Sequence, residues 1–251
     1  MVISENDFRN LYKLQKFADM SIKRYHIEFP IEPNANLAKI VAFLTFDGHL
    51  TPTNKMFIFS AGSADKLSEI RQVTEEEFNV TGQLRRVITN NLGTSYEYRV
   101  CCQPIGRILE LLGVPKGAKV FQKFDVPIWI KSNKNFSYEY LKTAFECEGS
   151  IWKESTGRVQ IAFKINKIEH LMKDCEQLLK TMKSMLSREG IETTNIWSVS
   201  GTKRKDGYKT RCIQFRIKSG SIEAFINRFS YKNKIERGVA IDAGHDLCAK
   251  S

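Results

Sequence analysis

The sequence predicts an α+β protein built from two similar halves, each with the element order αββαββα. Two observations predict this fold class. Two apolar helical segments have the same construction and end in an acidic residue followed by glycine, and the strand-like and helix-like segments after them come in the same order. The 251 residues allow two domains of ordinary size, and 42% of apolar residues is enough for a sizeable core.

The two matching helical segments are residues 37–48, LAKIVAFLTFDG, and residues 138–149, YEYLKTAFECEG. In both, apolar side chains cover most of the helix circumference, which is typical of a buried helix. A small side chain, Ala42 in the first and Thr143 in the second, lies five positions before the last acid. Glycine then follows, as it commonly does at the end of a helix.

The acids that end the two segments are Asp47 and Glu148. An acid is costly at the C-terminal end of a buried helix, because the helix dipole is already negative there and a buried carboxylate loses its solvation. Either acid alone is better explained as the end of a surface helix. The matched pair favours two carboxylates that share a cation.

The segments after each acid define the two repeats. The first copy has a strand at 55–60, a helix at 64–78, a hairpin at 84–102 and a helix at 105–112, and the second has 158–165, 168–190, 196–217 and 222–229. Turn residues in 113–119 and 126–130 indicate a connector, with a boundary near Ser132. We therefore expect a first repeat with its connector at 34–132 and a second repeat at 133–251. Residues 1–33 are expected to form a basic, partly helical leader, with apolar residues at helix-like spacing at Phe8, Leu11, Leu14 and Phe17.

The charge of the chain indicates its class of partner. The formal net charge of +11 favours a polyanion. No apolar run approaches the roughly 20 residues that span a bilayer, and the N-terminus lacks the apolar region of a signal peptide, so a membrane partner is disfavoured. The six cysteines form no C-x-x-C pair, which argues against a zinc ribbon and favours reduced, buried thiols. We expect an intracellular protein, in an archaeal cytoplasm or an organelle.

The repeat resembles the single-chain LAGLIDADG homing endonucleases over nearly all of residues 34–229. Its nine motif positions are 40–48 and 141–149, and the second, LKTAFECEG, is similar to the common pattern. The connector, GVPKG followed by VPIWI, resembles the segment between the repeats of archaeal and intein-borne members. The resemblance implies that the paired LAGLIDADG helices pack the repeats together and that the antiparallel sheets form a DNA-binding saddle. It also implies a monomer with internal pseudo-two-fold symmetry.

The activity that the resemblance implies is site-specific hydrolysis of both strands of a DNA target, as in intron homing, leaving 3′ overhangs. Asp47 and Glu148 would be the direct metal ligands, with the carbonyl oxygens of Phe46 and Cys147 as additional ones. Two carboxylates repel unless cations lie between them, and hard oxygen ligands favour Mg²⁺ (or Mn²⁺) over zinc. Such ions suit phosphodiester hydrolysis, because they activate water and stabilise the developing charge.

A basic residue usually supports the active site of this family from the end of a repeat's last strand. Lys218 is the expected residue in the second repeat, and Gln103 takes the related place in the first. Lys164 is a lesser candidate.

Strands that alternate polar and apolar residues are suited to presenting one face to the major groove of double-stranded DNA. Residues 203–211, KRKDGYKTR, combine cations with an Asp-Gly turn and predict a hairpin tip that lies against phosphates. The expected DNA contacts are Lys203, Arg204, Lys205, Lys209 and Arg211 in this hairpin, Arg85, Arg86, Asn90, Asn91 and Arg99 in the first repeat, and Lys153, Arg158, Gln160 and Lys164 in the second.

Two other functions remain open. The first is a maturase that assists the folding of intron RNA on the same scaffold, although the presence of both acids argues against a loss of nuclease activity. The second is a non-catalytic DNA-binding regulator. Such regulators tend to carry a helix-turn-helix, for which residues 239–251 are too short. The Met start and the absence of splicing-junction residues favour an intron-encoded protein over an intein.

Overall fold

The structure, a computed structural model, describes residues 2–89, 93–199 and 201–231. The chain divides into two units, residues 1–118 with 127–143 and residues 119–126 with 144–251. The second unit therefore includes part of the connector, and the division falls inside the second motif. None of the helices in the described ranges is long and apolar enough to cross a bilayer.

The elements of the first unit comprise the leader and the first repeat. They are α1 Glu5–Arg9, α2 Gln15–Tyr25, α3 Ala35–Phe46, β1 Gly48–Leu50, β2 Phe57–Ala61, α4 Asp65–Phe78, β3 Gln83–Thr89, β4 Gly93–Val100, α5 Gln103–Leu111 and α6 Ile128–Lys131. Helix α7, Lys134–Glu148, begins in the first unit and ends in the second. The second unit continues with β5 Gly149–Lys153, β6 Val159–Ile168, α8 Met172–Arg188, β7 Trp197–Val199, β8 Thr210–Arg216 and α9 Ile222–Phe229.

Each unit contains, within its described residues, a four-stranded antiparallel sheet. The strand order is β1-β2-β4-β3 in the first and β5-β6-β8-β7 in the second, so the two topologies are the same. The registers also correspond, because Gly48 pairs with Phe59 just as Gly149 pairs with Phe163. The predicted α+β fold, with αββαββα twice over, is therefore confirmed.

One face of each sheet is covered by helices and forms the core. In the first sheet the rings of Phe59 and Tyr98 stack with their centroids 6.2 Å apart. In the second, Phe145 of α7 lies 5.2 Å from Phe163 and 6.3 Å from Phe215 between ring centroids. All five rings are fully buried. Because side chains alternate along a strand, their chain neighbours point to the opposite side of each sheet, which we call the open face.

The glycines that follow the two acids are required by space. A Cβ atom at Gly48 would lie 2.7 Å from the carbonyl oxygen of Ile58, and one at Gly149 would lie 2.3 Å from that of Phe145. Neither glycine has a positive φ. Their role is thus to allow the close approach of backbone, rather than the left-handed cap that a glycine after a helix suggests.

Helix α3 packs against the first part of α7 within the first unit. The rings of Phe46 and Tyr140 meet with centroids 5.9 Å apart. The ammonium group of Lys39 lies 2.5 Å from the carboxylate of Glu69 in α4 and 3.8 Å from that of Glu139 in α7. Lys39 holds the pKa of Glu69 below its usual value. The small residues in the middle of both motifs are buried. These contacts pair the motif helices, as predicted.

The leader packs on α5. The guanidinium group of Arg107 lies 3.8 Å from the ring centroid of Tyr12. It also donates a hydrogen bond to the carbonyl oxygen of Leu11 in the leader at 2.5 Å. The leader forms two short helices, and its apolar residues do not share one buried face. Phe8 is buried, whereas Leu14 and Phe17 are about half exposed.

Residues 119–126 of the connector pack on β6 through Lys167. This lysine is only 3% exposed. Its ammonium group donates to the carbonyl oxygens of Lys119 and Gln122, the latter at 2.7 Å, and lies 3.8 Å from the ring centroid of Phe124. Burial lowers the pKa of Lys167 to about 8. This buried cation therefore helps to fasten the segment to the second sheet.

Candidate active site and nucleic-acid interface

Asp47 ends α3 and joins it to the first sheet. Its backbone has φ −98° and ψ 7°, and its carbonyl oxygen accepts a hydrogen bond from the backbone N–H of Ser60 at 3.1 Å. Strand β1 begins at the next residue, Gly48. The side chain of Asp47 is half-buried. The helix end and the sheet together fix the point from which the carboxylate projects.

Glu148 is the last residue of α7 and is also half-buried. One turn earlier, the carbonyl oxygen of Phe145 accepts a hydrogen bond from the hydroxyl of Tyr231. Burial, together with the charges of Glu146 and Cys147, raises the pKa of Tyr231 well above its usual value. The helix end that carries Glu148 is thus anchored by a buried tyrosine. No local pattern in the sequence identifies this residue, which lies 86 positions from its partner.

Each helix end, taken by itself, presents oxygen atoms of the kind that a hard divalent cation prefers. Asp47 and Glu148 supply carboxylates at the negative end of a helix dipole, where a cation is favoured. Within the described ranges, no group of three or more His, Cys, Asp or Glu residues is arranged to hold a metal ion. At either helix end, backbone carbonyls and water would therefore have to complete the coordination of an ion, and the candidate carbonyl donors are Phe46 beside Asp47 and Cys147 beside Glu148.

Lys218 and Gln103, which were predicted to support the acids, both make other contacts. The ammonium group of Lys218 lies 2.9 Å from Oε2 of Glu192 and lowers the pKa of that carboxyl. The side-chain amide of Gln103, the first residue of α5, donates to the carbonyl oxygen of Thr53 at 3.0 Å. Their role beside the acids stays a prediction.

The register of the second sheet makes Lys164 a stronger candidate. Phe163 pairs with Gly149, so Lys164 is one position beyond this pair on the side of Glu148. Alternation puts its side chain on the open face, where its ammonium group lies 5.4 Å from the ring centroid of Trp152. Lys164 is therefore a basic residue next to the second acid in register.

The predicted contacts of the first repeat fall on two faces. Arg85 and Arg99 lie on the open face, where Arg99 forms an ion pair with Glu97 at 2.5 Å. Arg86 points to the opposite face, because it follows Arg85 in the same strand. The two adjacent arginines therefore cannot both contact one DNA surface from the sheet. The other two predicted contacts, Asn90 and Asn91, lie outside the described residues.

The predicted basic hairpin forms. Lys203 and Lys209 pair across it, and Gly207, with φ 88°, donates its N–H to the carbonyl oxygen of Arg204 at 3.0 Å. Nε of Arg204 lies 3.1 Å from the carboxylate of Asp206, so this cation is partly neutralised. The exposed lysines of the tip are Lys203, Lys205 and Lys209.

The other predicted contacts of the second repeat are spread over both faces. Gln160 and Lys164 lie on the open face. Lys153 lies on the helix side of β5, and Arg158 is exposed in the turn before β6. Arg211 lies on the helix side of β8, with Nε 3.9 Å from a glutamate carboxylate.

Two tryptophans and an arginine on the open face of the second sheet were not identified from the sequence. The guanidinium carbon of Arg216 lies 5.1 Å from the ring centroid of Trp152 and 5.4 Å from that of Trp197. Each of the three side chains is partly buried. They come from three strands, so no single stretch of sequence reveals the cluster. The signal in the sequence that could have indicated this cluster is the presence of tryptophan at strand positions whose side chains face away from the core.

Comparison with known families agrees with this geometry. Residues 135–229 match the family model of the LAGLIDADG-like domain. They form a LAGLIDADG-like domain. The first half of the chain has the same acid–glycine helix end, strand order and register as this domain.

Individual proteins are more distantly similar. The chain is 25% identical over 258 residues to the tRNA-splicing ligase RtcB of Methanopyrus kandleri, a match over 95% of this chain and 25% of that protein. The chain thus spans about a quarter of the length of this curated relative. Among solved structures, mesophilic variants of the homing endonuclease I-DmoI have a TM-score of 0.48 and 13% identity, covering 80% of this chain and 88% of theirs. Full-length DUF199/WhiA from Thermatoga maritima has a TM-score of 0.49 and 12% identity, covering 91% and 68%.

Proposed function

We propose that this chain is a two-repeat LAGLIDADG protein and a site-specific endonuclease that hydrolyses both strands of double-stranded DNA and leaves 3′ overhangs, with Asp47 and Glu148 as its paired acids. One observation carries the proposal. Each acid ends a motif helix at a corresponding position of the two repeats, and the next residue starts the first strand of a sheet. Since one chain supplies both acids, a monomer would suffice for cleavage of both strands.

The residues around each acid serve to hold it still. At Asp47 the sheet hydrogen bond from Ser60 fixes the helix end, and at Glu148 the hydroxyl of Tyr231 does so. Rigid placement matters because catalysis depends on fixed charges at the position where charge develops. Mg²⁺ (or Mn²⁺) held by the two carboxylates would activate water and stabilise the developing charge on the scissile phosphate.

The basic residue that assists the second acid is, in this proposal, Lys164. Its place next to Glu148 in register supports this assignment, and the ion pair of Lys218 with Glu192 leaves that lysine less free to assist. A lysine in this position would orient the attacking water or offset the charge of the transition state. Gln103 would be a polar counterpart in the first repeat.

DNA binding is supported by the charge of the chain and by its exposed cations. The net charge is +11, and the hairpin tip carries Lys203, Lys205 and Lys209 in exposed positions. Because neutralised phosphates release counterions, we expect affinity to fall steeply as the salt concentration rises. Arg85 and Arg99 would act from the open face of the first sheet, and Gln160 and Lys164 from that of the second.

The test uses a supercoiled plasmid as substrate. The plasmid carries the DNA sequences that flank the reading frame upstream and downstream, joined directly to each other with the frame left out. With Mg²⁺ the wild-type protein should linearise it. The variants D47N and E148Q should bind the same duplex with nearly unchanged affinity and should not linearise it. E146Q is the matched control for E148Q. Glu146 is exposed on α7, the helix that Glu148 ends, and the substitution makes the same change of charge.

The outcomes separate the candidate functions. Cleavage of both strands by D47N would remove Asp47 from the mechanism. Specific DNA binding without cleavage by the wild-type protein would favour a non-catalytic regulator. Binding to the intron RNA in preference to the duplex would favour a maturase.

A further inference from the structure

The open face of the second sheet holds an arginine between two aromatic rings. Arg216 in β8 lies 5.1 Å from the ring of Trp152 in β5 and 5.4 Å from that of Trp197 in β7, measured from its guanidinium carbon to each centroid. The two tryptophans stand in register with Gln160 and Gln214 on the strands between them. A guanidinium group beside two indole rings is held by cation–π attraction and loses much of its rotational freedom.

Arg216 has no acidic partner among the described residues, and this separates it from its counterpart in the first repeat. Phe59 pairs with Tyr98 as Phe163 pairs with Phe215, so Arg99 and Arg216 occupy equivalent positions. Arg99 is neutralised by Glu97 at 2.5 Å. At the position equivalent to Glu97 the second repeat has Gln214, which carries no charge.

Several hydrogen-bonding groups at and around Arg216 have no hydrogen-bond partner among the described residues. Its Nε atom is buried and has no hydrogen-bond partner within the described part of the chain. The side chains of Gln160 and Gln214, 8% and 7% exposed, lie on the same face, and neither side chain forms a hydrogen bond with another described residue. Buried polar groups are normally paired, so this cluster is suited to a ligand that supplies acceptors and donors in a plane.

The edge of a base pair is a ligand of this kind. A guanidinium fork donates two parallel hydrogen bonds to O6 and N7 of guanine in the major groove, and a glutamine amide pairs in a similar way with adenine. Residues two apart on a strand lie about 6.8 Å apart, which matches about two base-pair steps of 3.4 Å along one DNA strand. Gln214 and Arg216 are thus spaced like two bases of one DNA strand that have a single base between them. A phosphate contact is less well matched, because a single phosphate would not use the amides.

We propose that Arg216 is a specificity-determining residue that recognises a guanine of the DNA target, and that Trp152 and Trp197 are positioning residues for its guanidinium group. This inference rests on the proposed function, since it requires a sequence-specific DNA duplex. In this proposal Arg216 adds a base-specific contact at one base pair to the phosphate contacts of the protein.

The test is a selection of bound duplexes from a randomised library in EDTA, so that cleavage does not interfere. The wild-type protein should enrich a sequence that contains an invariant guanine at one position or more. For R216K, which keeps the charge and loses the fork, guanine preference should disappear at one of these positions. Affinity for the selected site should fall by roughly tenfold to a hundredfold, the range for one good bidentate contact. Affinity for unrelated duplex should change less than about twofold, because the phosphate contacts remain.

Two further variants complete the design. W197A should weaken discrimination at the same base pair as R216K and leave the other positions unchanged, which a merely structural role would not do. R228K is the matched control, because Arg228 pairs with Glu189 away from the open face and the same Arg-to-Lys change should leave the profile intact. Thermal unfolding of each variant identifies any that fails to fold.

The results that overturn the inference are distinct from those that overturn the proposed function. An unchanged profile for R216K, or an equal loss of affinity for every sequence, refutes guanine recognition and leaves the endonuclease proposal standing. Failure of the wild-type protein to enrich any sequence overturns both.

Discussion

Lys167 offers a test of how a buried cation affects the stability of the second unit. Burial lowers its pKa from the usual 10.5 to about 8, although the ammonium group donates to two connector carbonyls. Replacement by Met fills a similar space and removes the charge. At neutral pH two effects of K167M oppose each other, because a desolvated charge is removed while the carbonyl oxygens of Lys119 and Gln122 lose their donor. The difference in stability at one pH is therefore less informative than its dependence on pH.

The sign of that dependence follows from proton binding. Between pH 8 and pH 10.5 the unfolded chain holds more protons at Lys167 than the folded protein does, so the contribution of Lys167 to the free energy of unfolding rises with pH. The lowered pKa corresponds to about 3 kcal/mol in total, of which about 2.5 kcal/mol falls between pH 7 and pH 10. Burial raises the pKa of Cys175 to about 12, so this thiol lowers stability as the pH rises past 9. It does so in wild type and K167M alike and therefore cancels in their difference.

Urea denaturation of wild type and K167M at pH 7, 8, 9 and 10 measures the effect. Stability of the wild type minus that of K167M should increase by about 2.5 kcal/mol across the series. K173M is the control for the loss of one lysine, because Lys173 is exposed on α8. A difference that stays constant within about 0.5 kcal/mol would refute the conclusion that Lys167 is held at a thermodynamic cost.

Three other predictions concern the helix end, the hairpin and the first core. G149A should destabilise the protein by about 1–3 kcal/mol in chemical denaturation, because its Cβ would lie 2.3 Å from the carbonyl oxygen of Phe145, and unchanged stability would contradict the close approach. K205A should weaken binding to all duplexes alike and reduce the slope of log affinity against log salt by about 1 in a salt titration; equal slopes would count against a phosphate contact by the hairpin. Y98F should cost about 1–3 kcal/mol in urea denaturation, because the Tyr98 hydroxyl accepts from a backbone N–H at 2.8 Å and donates to Glu75 at 2.9 Å, and a smaller loss would mean that water replaces it.

The order of elements could be predicted because hydrophobic periodicity and the repeat agree. The predicted helix at 222–229 has the observed bounds, and the helix predicted at 64–78 begins one residue later. The helix predicted at 168–190 begins only at Met172, because β6 continues to Ile168 and a short 3-10 turn intervenes. An apolar run does not by itself say where a strand ends and a helix begins.

The candidate site could be predicted only where it is local in sequence. Asp47 and Glu148 were identified because each ends its own motif. The faces of Arg85 and Arg86 depend on strand register, which a cluster of cations does not reveal. The pairing of Lys218 with Glu192 joins residues 26 positions apart, and the contacts of Arg216 come from three strands. Such contacts are set by the folded sheet.

The different surroundings of Arg99 and Arg216 bear on the symmetry of whatever the protein binds. A dimer of identical chains presents the same surface twice and is matched to a palindrome. Two copies joined in one polypeptide are free to diverge, and here one arginine has a glutamate beside it where the other has a glutamine. If both sheets read DNA as proposed, the left and right halves of the target need not mirror each other.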